Sequence, residues 1–91
     1  MDLKSQIVRS DDLIEAQAGG ETVMMSLALG SYYGLNAVGS YIWSLIDRPR
    51  TIEELREAIC AEFAVSPDQC EQDVIAFVQT MIDRCLIRQV D

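Results

Sequence analysis

The chain has 91 residues, of which 49% are hydrophobic, a net charge of −8 and no histidine. This length and hydrophobic content suit one folded domain with a modest core, rather than two domains or a disordered chain. Only seven residues are Lys or Arg, so the composition argues against nucleic-acid binding, which needs a basic patch.

The N-terminus and the cysteines bear on the compartment. Met1 leads into a polar stretch without the apolar core of a signal peptide, and no apolar run approaches the roughly 20 residues that span a bilayer. Cys60, Cys70 and Cys85 form no C-x-x-C pair and have no histidine to complete a zinc site. Because Cys70 and Cys85 fall on the apolar stripe of a predicted helix, we expect them to be buried free thiols. We also expect no metal, no membrane partner and a cytoplasmic location.

The first third of the chain is predicted to form a three-stranded antiparallel meander. Asp12–Ala18 alternates apolar and polar residues, and Gly19-Gly20 is a strong signal for a two-residue hairpin turn. Tyr32–Leu35 is the third strand. The second strand is Glu21–Ala28, and its more apolar face is predicted to consist of Val23, Met25 and Leu27.

The loop between the second and third strands decides which side chains share a face. A three-residue loop, Leu29–Ser31, pairs Leu27 with Tyr33 and Met25 with Leu35, which gathers the large apolar side chains on one side. A two-residue loop would separate them. The hydrophobic pattern therefore predicts the three-residue loop.

The remainder is predicted to form three helices. Asn36 is the expected N-cap of the first helix, Thr51 and Glu54 form a capping box for the second, and Ser66 followed by Pro67 begins the third. The third helix carries an apolar stripe wider than packing against two helices and a sheet requires. That stripe consists of Cys70, Val74, Phe77, Val78, Met81, Ile82 and Cys85. A short apolar ending, residues 86–90, is expected to pack back on the domain.

No catalytic constellation is visible. Without histidine, the chain lacks Ser/His/Asp and Cys/His arrangements. The adjacent carboxylates Asp11-Asp12 precede a strand, and Glu53-Glu54 lie in the first turn of a helix, where negative charge favours the helix dipole. No glycine-rich phosphate loop precedes a helix. We therefore expect a non-catalytic protein with no cofactor.

The third strand offers an opening for peptide binding. Tyr32–Leu35 carries no lysine, proline or inward charge of the kind that protects an edge strand from pairing with another chain. An extended peptide could add there as a further strand, with the wide stripe of the third helix as a wall for its side chains. The alternative is that the tyrosines only complete the core and the edge is idle. The residues alone leave both interpretations open.

The run "YYGLNAVGSYIW", followed by "LIDRPRTIEELREAICAEF" and "CEQDVIAFVQTMIDRCLI", resembles the PqqD-like family. Members of that family are the leader-peptide recognition domains of ribosomally made, modified peptides. The positions that match its pattern are Leu35-Asn36, Ile42-Trp43, Thr51, Asp73-Val74, Phe77 and Leu86-Ile87. Because the resemblance covers about residues 12 to 90, we expect the chain, 1–91, to be a single recognition domain.

The resemblance implies an α+β, winged helix-turn-helix-like fold that does not bind DNA. In the family, the leader of the precursor pairs with the third strand and lies against the third helix. Gly34 would control how closely the leader backbone approaches, and Asp73 would meet a donor or cation on it. The expected peptide-binding residues are Tyr32, Tyr33, Gly34, Leu35, Asp73, Val74, Phe77 and Met81.

The aromatic "YYGLN" and the free-standing length look most like the small leader-binding subunit of lasso-peptide systems. That resemblance implies three partners: the precursor leader, a cysteine protease that removes it, and a cyclase. One alternative is a PqqD-type chaperone of pyrroloquinoline quinone biosynthesis, whose third strand is usually less aromatic. A winged-helix transcription regulator is disfavoured because Arg84 is the only basic residue of the third helix. A structural subunit of an enzyme complex would dock by the same edge without a leader.

Overall fold

The computed structural model describes residues 1–19 and 21–90 of the chain. Within that part, the predicted α+β class and the succession of a meander and three helices are confirmed. Further strands precede, interrupt and follow these elements. In chain order the elements are β1 (Gln6–Arg9), β2 (Leu13–Ala18), β3 (Glu21–Ser26), β4 (Tyr32–Leu35), α1 (Ala37–Leu45), β5 (Arg50–Thr51), α2 (Ile52–Glu62), α3 (Pro67–Asp83) and β6 (Ile87–Val90).

The strands form two antiparallel sheets. The sheet β2-β3-β4 is the predicted meander, and the sheet β5-β1-β6, which the sequence did not predict, joins the two ends of the chain. β1 lies at its centre, pairing with β6 from Gln6↔Val90 to Arg9↔Ile87 and with β5 at Gln6↔Thr51. The apolar ending expected to pack back therefore does so as a strand.

The first hairpin of the meander has the predicted connection. Ala18 pairs with Glu21, which leaves a two-residue turn between β2 and β3. Gly19 adopts a φ of 61°, in the left-handed region that favours glycine. The second turn residue of the prediction, Gly20, lies outside the described residues.

The register of the second hairpin was predicted wrongly. Tyr33 pairs with Met24 rather than with Leu27, so β3 presents the opposite face to the one expected. The loop comprises residues 27–30, one residue more than predicted, and Gly30 at its end adopts a φ of 66°. The partner of Tyr33 is thus displaced by an odd number of residues, from Leu27 to Met24. Because side chains alternate along a strand, such a displacement moves every side chain of β3 to the other side of the sheet.

Hydrogen bonding explains why β3 turns its hydroxyl residues inward. Ser26 is fully buried; its carbonyl accepts from the Gly30 N–H at 2.7 Å, and its hydroxyl accepts from the Leu29 N–H at 3.3 Å. The buried Thr22 hydroxyl accepts from the Gln17 side chain at 3.0 Å. Both polar groups are therefore satisfied. The residues that hydropathy alone assigned to the core face, and that face outward instead, are Val23, Met25 and Leu27.

The helix starts follow their predicted caps. The Asn36 side chain accepts from the Gly39 N–H at 2.8 Å at the start of α1. Thr51 and Glu54 form the complete capping box of α2, and Ser66 caps α3. Each of these bonds satisfies an N–H that a helix end leaves without a partner.

Cys85 lies just beyond the end of α3, not on its apolar stripe as predicted. The Leu86 N–H donates to the Met81 carbonyl at 2.9 Å and the Cys85 N–H to the Ile82 carbonyl at 3.0 Å, the two bonds of a Schellman motif. Cys85 has a φ of 61° and is exposed. The expectation of a buried thiol is therefore wrong for Cys85, which lies beyond the helix, whereas Cys70 is buried as expected.

One contiguous core lies between the two sheets and the three helices. Trp43 of α1 is at its edge with the meander, where the indole N–H donates to the Glu15 carboxylate at 3.1 Å. Arg9 of β1 donates two hydrogen bonds to the Trp43 carbonyl, at 2.9 and 2.6 Å. The buried members of this core are Ile7, Met24, Leu35, Ile42, Trp43, Ile46, Ile52, Leu55, Ile59, Cys70, Val74, Val78, Met81, Leu86 and Ile87.

We expect Cys85→Gly to stabilise the fold. A side chain in the left-handed region costs about 1–2 kcal/mol, and the greater freedom of an unfolded glycine offsets about 0.5–1 kcal/mol of that gain. The free energy of unfolding, measured in urea, should rise by about 0.5–1 kcal/mol. Cys85→Ala, which removes the thiol but keeps the side chain, is the control and should give no such rise. Equal stability of the two variants would contradict this account of the turn.

Candidate functional site

β4 has an open edge. Within residues 1–19 and 21–90, β4 pairs only with β3. The Ser26 N–H donates to the Ser31 carbonyl at 3.0 Å, and because pairing alternates in antiparallel sheets, every second residue from Ser31 onward bonds to β3. Tyr32 and Gly34 lie between these residues. Their N–H and C=O groups therefore point away from the sheet, toward the open edge.

The side chains of β4 alternate between the core and solvent, as predicted. Leu35 is buried, and the half-buried Tyr33 lies beneath Arg84, whose guanidinium carbon is 5.0 Å from the ring centroid. On the other face, Tyr32 is 71% exposed. A Cβ added at Gly34 would meet nothing within 4 Å, so this position leaves room beside the strand.

α3 lies beside β4 on its inner side. Near Leu35, the Phe77 ring fits against α1: Phe77 Cε1 would be 3.2 Å and Leu35 Cδ2 3.3 Å from a Cβ built on Gly39. The missing side chain of Gly39 thus permits this close approach. At the other end of the strand, Arg84 covers Tyr33. The helix and the strand therefore run side by side in opposite directions.

An apolar pocket of about 300 Å³ opens where β4 meets α1. Its walls come from the start of α1, the end of α2 and the first half of α3. Among the described lining residues, Asp73 is the only one with a charge, and its exposed carboxylate accepts a hydrogen bond from Gln69 at 2.9 Å. The lining consists of Asn36, Val38, Gly39, Ile42, Ile59, Phe63, Val65, Cys70, Asp73, Val74 and Phe77. Such a pocket can accept an apolar side chain while polar groups remain nearby.

The Cys70 thiol contributes to the pocket as a neutral group. Burial, together with the nearby Cys60 thiol and Asp73 carboxylate, raises the pKa of Cys70 to about 11. The thiol also lies 3.7 Å from the Arg56 carbonyl, to which it donates a weak hydrogen bond. Cys70 is therefore protonated near neutral pH and adds no negative charge to that of Asp73.

The structure brings together most of the expected site residues. Asp73, Val74 and Phe77 line the pocket beside the β4 edge, whereas Met81 is fully buried in the core and does not line it. Four apolar lining residues at the start of α1, at the end of α2 and in the connection to α3 were not expected at the site. They are Val38, Ile59, Phe63 and Val65. Their hydropathy indicated only packing, not a part in a pocket.

The described part of the chain contains no group of three or more acidic residues or cysteines arranged to hold a metal ion. Nor is any helix in residues 1–19 and 21–90 both long and apolar enough to cross a membrane.

Known proteins resemble this chain in sequence and in structure. The family described as coenzyme PQQ synthesis protein D (PqqD) matches residues 21–87. A solved structure of TbiB1 in complex with the TbiA(beta) leader peptide is 37% identical, with 89% of this chain and 94% of that chain covered and a TM-score of 0.80. A lasso peptide synthetase B1 complexed with the leader peptide has a similar fold at 17% identity, with 90% and 96% covered and a TM-score of 0.79. No curated protein matches the chain.

The burial of Cys70 predicts an order of thiol reactivity. Only the thiolate reacts with iodoacetamide, so burial and a raised pKa both slow the alkylation of a thiol at about pH 8.5. We expect exposed Cys85 to be alkylated first, and Cys70 only after unfolding. Mass spectrometry of peptides from the native and urea-unfolded protein measures this order. Alkylation of Cys70 and Cys85 at equal rates in the native protein would contradict the assigned burial and raised pKa of Cys70.

Proposed function

The chain belongs to the PqqD family, and we propose that it is a non-catalytic chaperone for a ribosomally synthesised precursor peptide. It binds the precursor's leader as an added strand on β4 and presents the precursor to a leader peptidase in lasso-peptide biosynthesis. The observation that carries this proposal is the open edge, where Tyr32 and Gly34 direct backbone groups outward next to an apolar pocket.

In strand addition, backbone hydrogen bonds hold the peptide and side-chain contacts give selectivity. The N–H and C=O groups of Tyr32 and Gly34 would bond to the leader backbone, and such bonds tolerate many leader sequences. Leader side chains on the inner side would point toward α3, and an apolar one would enter the pocket beside Phe77. Selectivity therefore depends on this pocket and on the Asp73 carboxylate near it.

The similar solved structures support the leader as the ligand. TbiB1, at 37% identity and a TM-score of 0.80, is in complex with a leader peptide, and β4 and α3 of this chain supply an open edge and an apolar wall. The non-catalytic role rests on the sequence, which has no histidine and no activated nucleophile. A separate cysteine protease would then remove the leader and a cyclase would act on the rest, both in the cytoplasm.

A second candidate function follows from the family description. The matching family is named for coenzyme PQQ synthesis, so a chaperone that binds the precursor of pyrroloquinoline quinone would use the same edge. The aromatic pair Tyr32-Tyr33 of β4, by which the chain resembles the leader-binding subunits of lasso-peptide systems, favours the lasso-peptide role. Direct competition between the two kinds of precursor peptide for the purified chain would distinguish these candidates.

We expect Gly34→Pro to weaken leader binding by about tenfold, the effect of one lost hydrogen bond. Proline removes an N–H that points to the open edge but none that pairs with β3, and edge strands tolerate proline in this position. Gly34→Ala keeps the N–H and has room for its Cβ, so it should bind like the native chain. Titration calorimetry with the cognate leader measures affinity, and circular dichroism verifies the fold. If folded Gly34→Pro binds as tightly as Gly34→Ala, the leader does not pair with this edge.

We expect Phe77→Ala to weaken leader binding by roughly thirtyfold, as loss of a buried anchor typically does. Ile82→Ala is the matched control, because Ile82 is a half-buried apolar residue of the same helix that does not line the pocket. Both changes should lower the free energy of unfolding, but only Phe77→Ala should lower leader affinity. Equal affinities of the two folded variants would move the anchor site away from the pocket.

A further inference from the structure

Two of the three cysteines lie side by side between α2 and α3. The Cys70 sulfur of α3 is 3.7 Å from the Arg56 carbonyl oxygen of α2. Within α2 this carbonyl faces the next helical turn, where it accepts from the Cys60 N–H. The Cys60 side chain packs against the buried core and lies close enough to the Cys70 thiol to interact with it directly. We call Cys60 and Cys70 the thiol pair.

Exposure makes the two members of the thiol pair unequal. Cys70 is only 2% exposed, whereas Cys60 is half-buried, so a small molecule from solvent reaches Cys60 first. The third thiol, Cys85, lies beyond the far end of α3, about 20 Å away at 1.5 Å per residue. Within one chain, Cys60 and Cys70 can therefore bond only to each other. An accessible thiol with a second thiol beside it is typical of redox-sensitive cysteines.

The thiol pair connects two walls of the pocket. Cys70 is a lining residue on the α3 wall, and Ile59 and Phe63, which flank Cys60 along α2, line the α2 wall. A disulfide holds its sulfurs about 2 Å apart, whereas non-bonded heavy atoms approach only to about 3.5–4 Å. Formation of a disulfide would therefore draw the two walls together. It would also remove the S–H that Cys70 donates to the Arg56 carbonyl.

From these observations we propose that the thiol pair is a modification site for hydroperoxides, and that its disulfide weakens leader binding by narrowing the pocket. This inference rests on the proposed function, because it takes an apolar leader side chain as the occupant of the pocket. In a reducing compartment a disulfide of this kind is transient, and exchange with a thiol reductant restores the open pocket.

The modification takes two chemical steps. The Cys60 thiolate attacks one oxygen of the hydroperoxide and the O–O bond breaks. Cys60 becomes a sulfenic acid, and the other oxygen takes up the proton that the thiol lost and leaves as an alcohol or water. The Cys70 sulfur then attacks the Cys60 sulfur, the S–O bond breaks, and the hydroxyl leaves as water with the Cys70 proton. Two thiols are oxidised and one hydroperoxide is reduced. The proximity of the sulfurs favours the second step although Cys70 is buried.

Leader binding and oxidation of the thiol pair oppose each other reciprocally. A disulfide that lowers leader affinity tenfold requires that bound leader disfavour the disulfide by the same factor. For this two-electron couple, a tenfold change corresponds to about 30 mV. Saturating leader should therefore raise the reduction potential of the thiol pair by about 30 mV, measured in buffers of known dithiol/disulfide ratio. An unchanged potential would contradict the coupling between the thiol pair and the pocket.

Peptide mass spectrometry tests formation of the disulfide. Cys85→Ala removes the exposed thiol and keeps the thiol pair, and hydrogen peroxide is the oxidant. A protease that cleaves after Glu62 separates Cys60 from Cys70, so their peptides should remain joined until a reductant is added. Cys60→Ser/Cys85→Ala is the matched control and should give no joined peptides. Sulfinic acid at Cys60 without a disulfide, or disulfides only between two chains, would overturn the proposal.

Fluorescence anisotropy of a labelled cognate leader tests the effect on binding. Oxidised Cys85→Ala should bind the leader about tenfold more weakly than the reduced protein, the effect of partly losing one interface anchor. Reduction should restore the affinity. The same peroxide treatment of Cys60→Ser/Cys85→Ala should leave leader affinity unchanged, which controls for oxidation of methionine. Circular dichroism verifies that each form is folded.

These measurements separate the role of the thiol pair from the proposed function. If reduced Cys85→Ala is folded and does not bind the leader, the proposed function is overturned, and the effect of the disulfide on leader binding with it. If the reduced protein binds the leader but forms no disulfide between Cys60 and Cys70, only the modification site is overturned. Equal leader affinities of the reduced and oxidised proteins would likewise overturn the narrowing of the pocket and leave the proposed function intact.

Discussion

The register between β3 and β4 determines what the meander presents on each side. Ser26 fixes it, because this buried residue accepts the hydrogen bonds that close the loop to β4. With Tyr33 opposite Met24, the inner face closes over the core and the Tyr32 and Gly34 backbone groups remain at the edge. The same register turns Met25 outward. The open edge of β4 and the outward position of Met25 are therefore two consequences of one pairing.

A second constraint positions α1, which forms one wall of the pocket. Trp43 joins three elements: its indole N–H donates to Glu15 of β2, its carbonyl accepts from Arg9 of β1, and the Arg9 and Glu15 side chains are 3.7 Å apart. Removing Glu15 would leave the indole N–H and the guanidinium without this acceptor. The two sheets are thus connected through the helix that begins at the site.

Sequence reasoning succeeded where the determining signal is local. The capping residues Asn36, Thr51 and Ser66 bond within their own first turns, and a glycine turn joins β2 to β3 at the predicted place. It failed for the β3–β4 register because buried hydroxyls with hydrogen-bond partners look polar in a sequence. It missed the second sheet because β1 pairs with strands far along the chain, and β5 has only two residues. The pocket was half predicted, since spacing along α3 indicated Phe77, whereas the opposite wall combines the ends of two helices.

A leader strand added to β4 would have two sets of side chains, one on each side of the meander. If the leader adds as a strand, side chains at every second position meet α3 and the pocket, and the intervening ones lie on the side of the meander that faces away from the core. Changes at the inner positions then alter affinity for the chain, because they fill or empty the pocket beside Phe77. Changes at the intervening positions leave the pocket as it is, while the backbone bonds to Tyr32 and Gly34 persist. One short strand thereby allows some leader positions to determine binding strength while the others vary without affecting it.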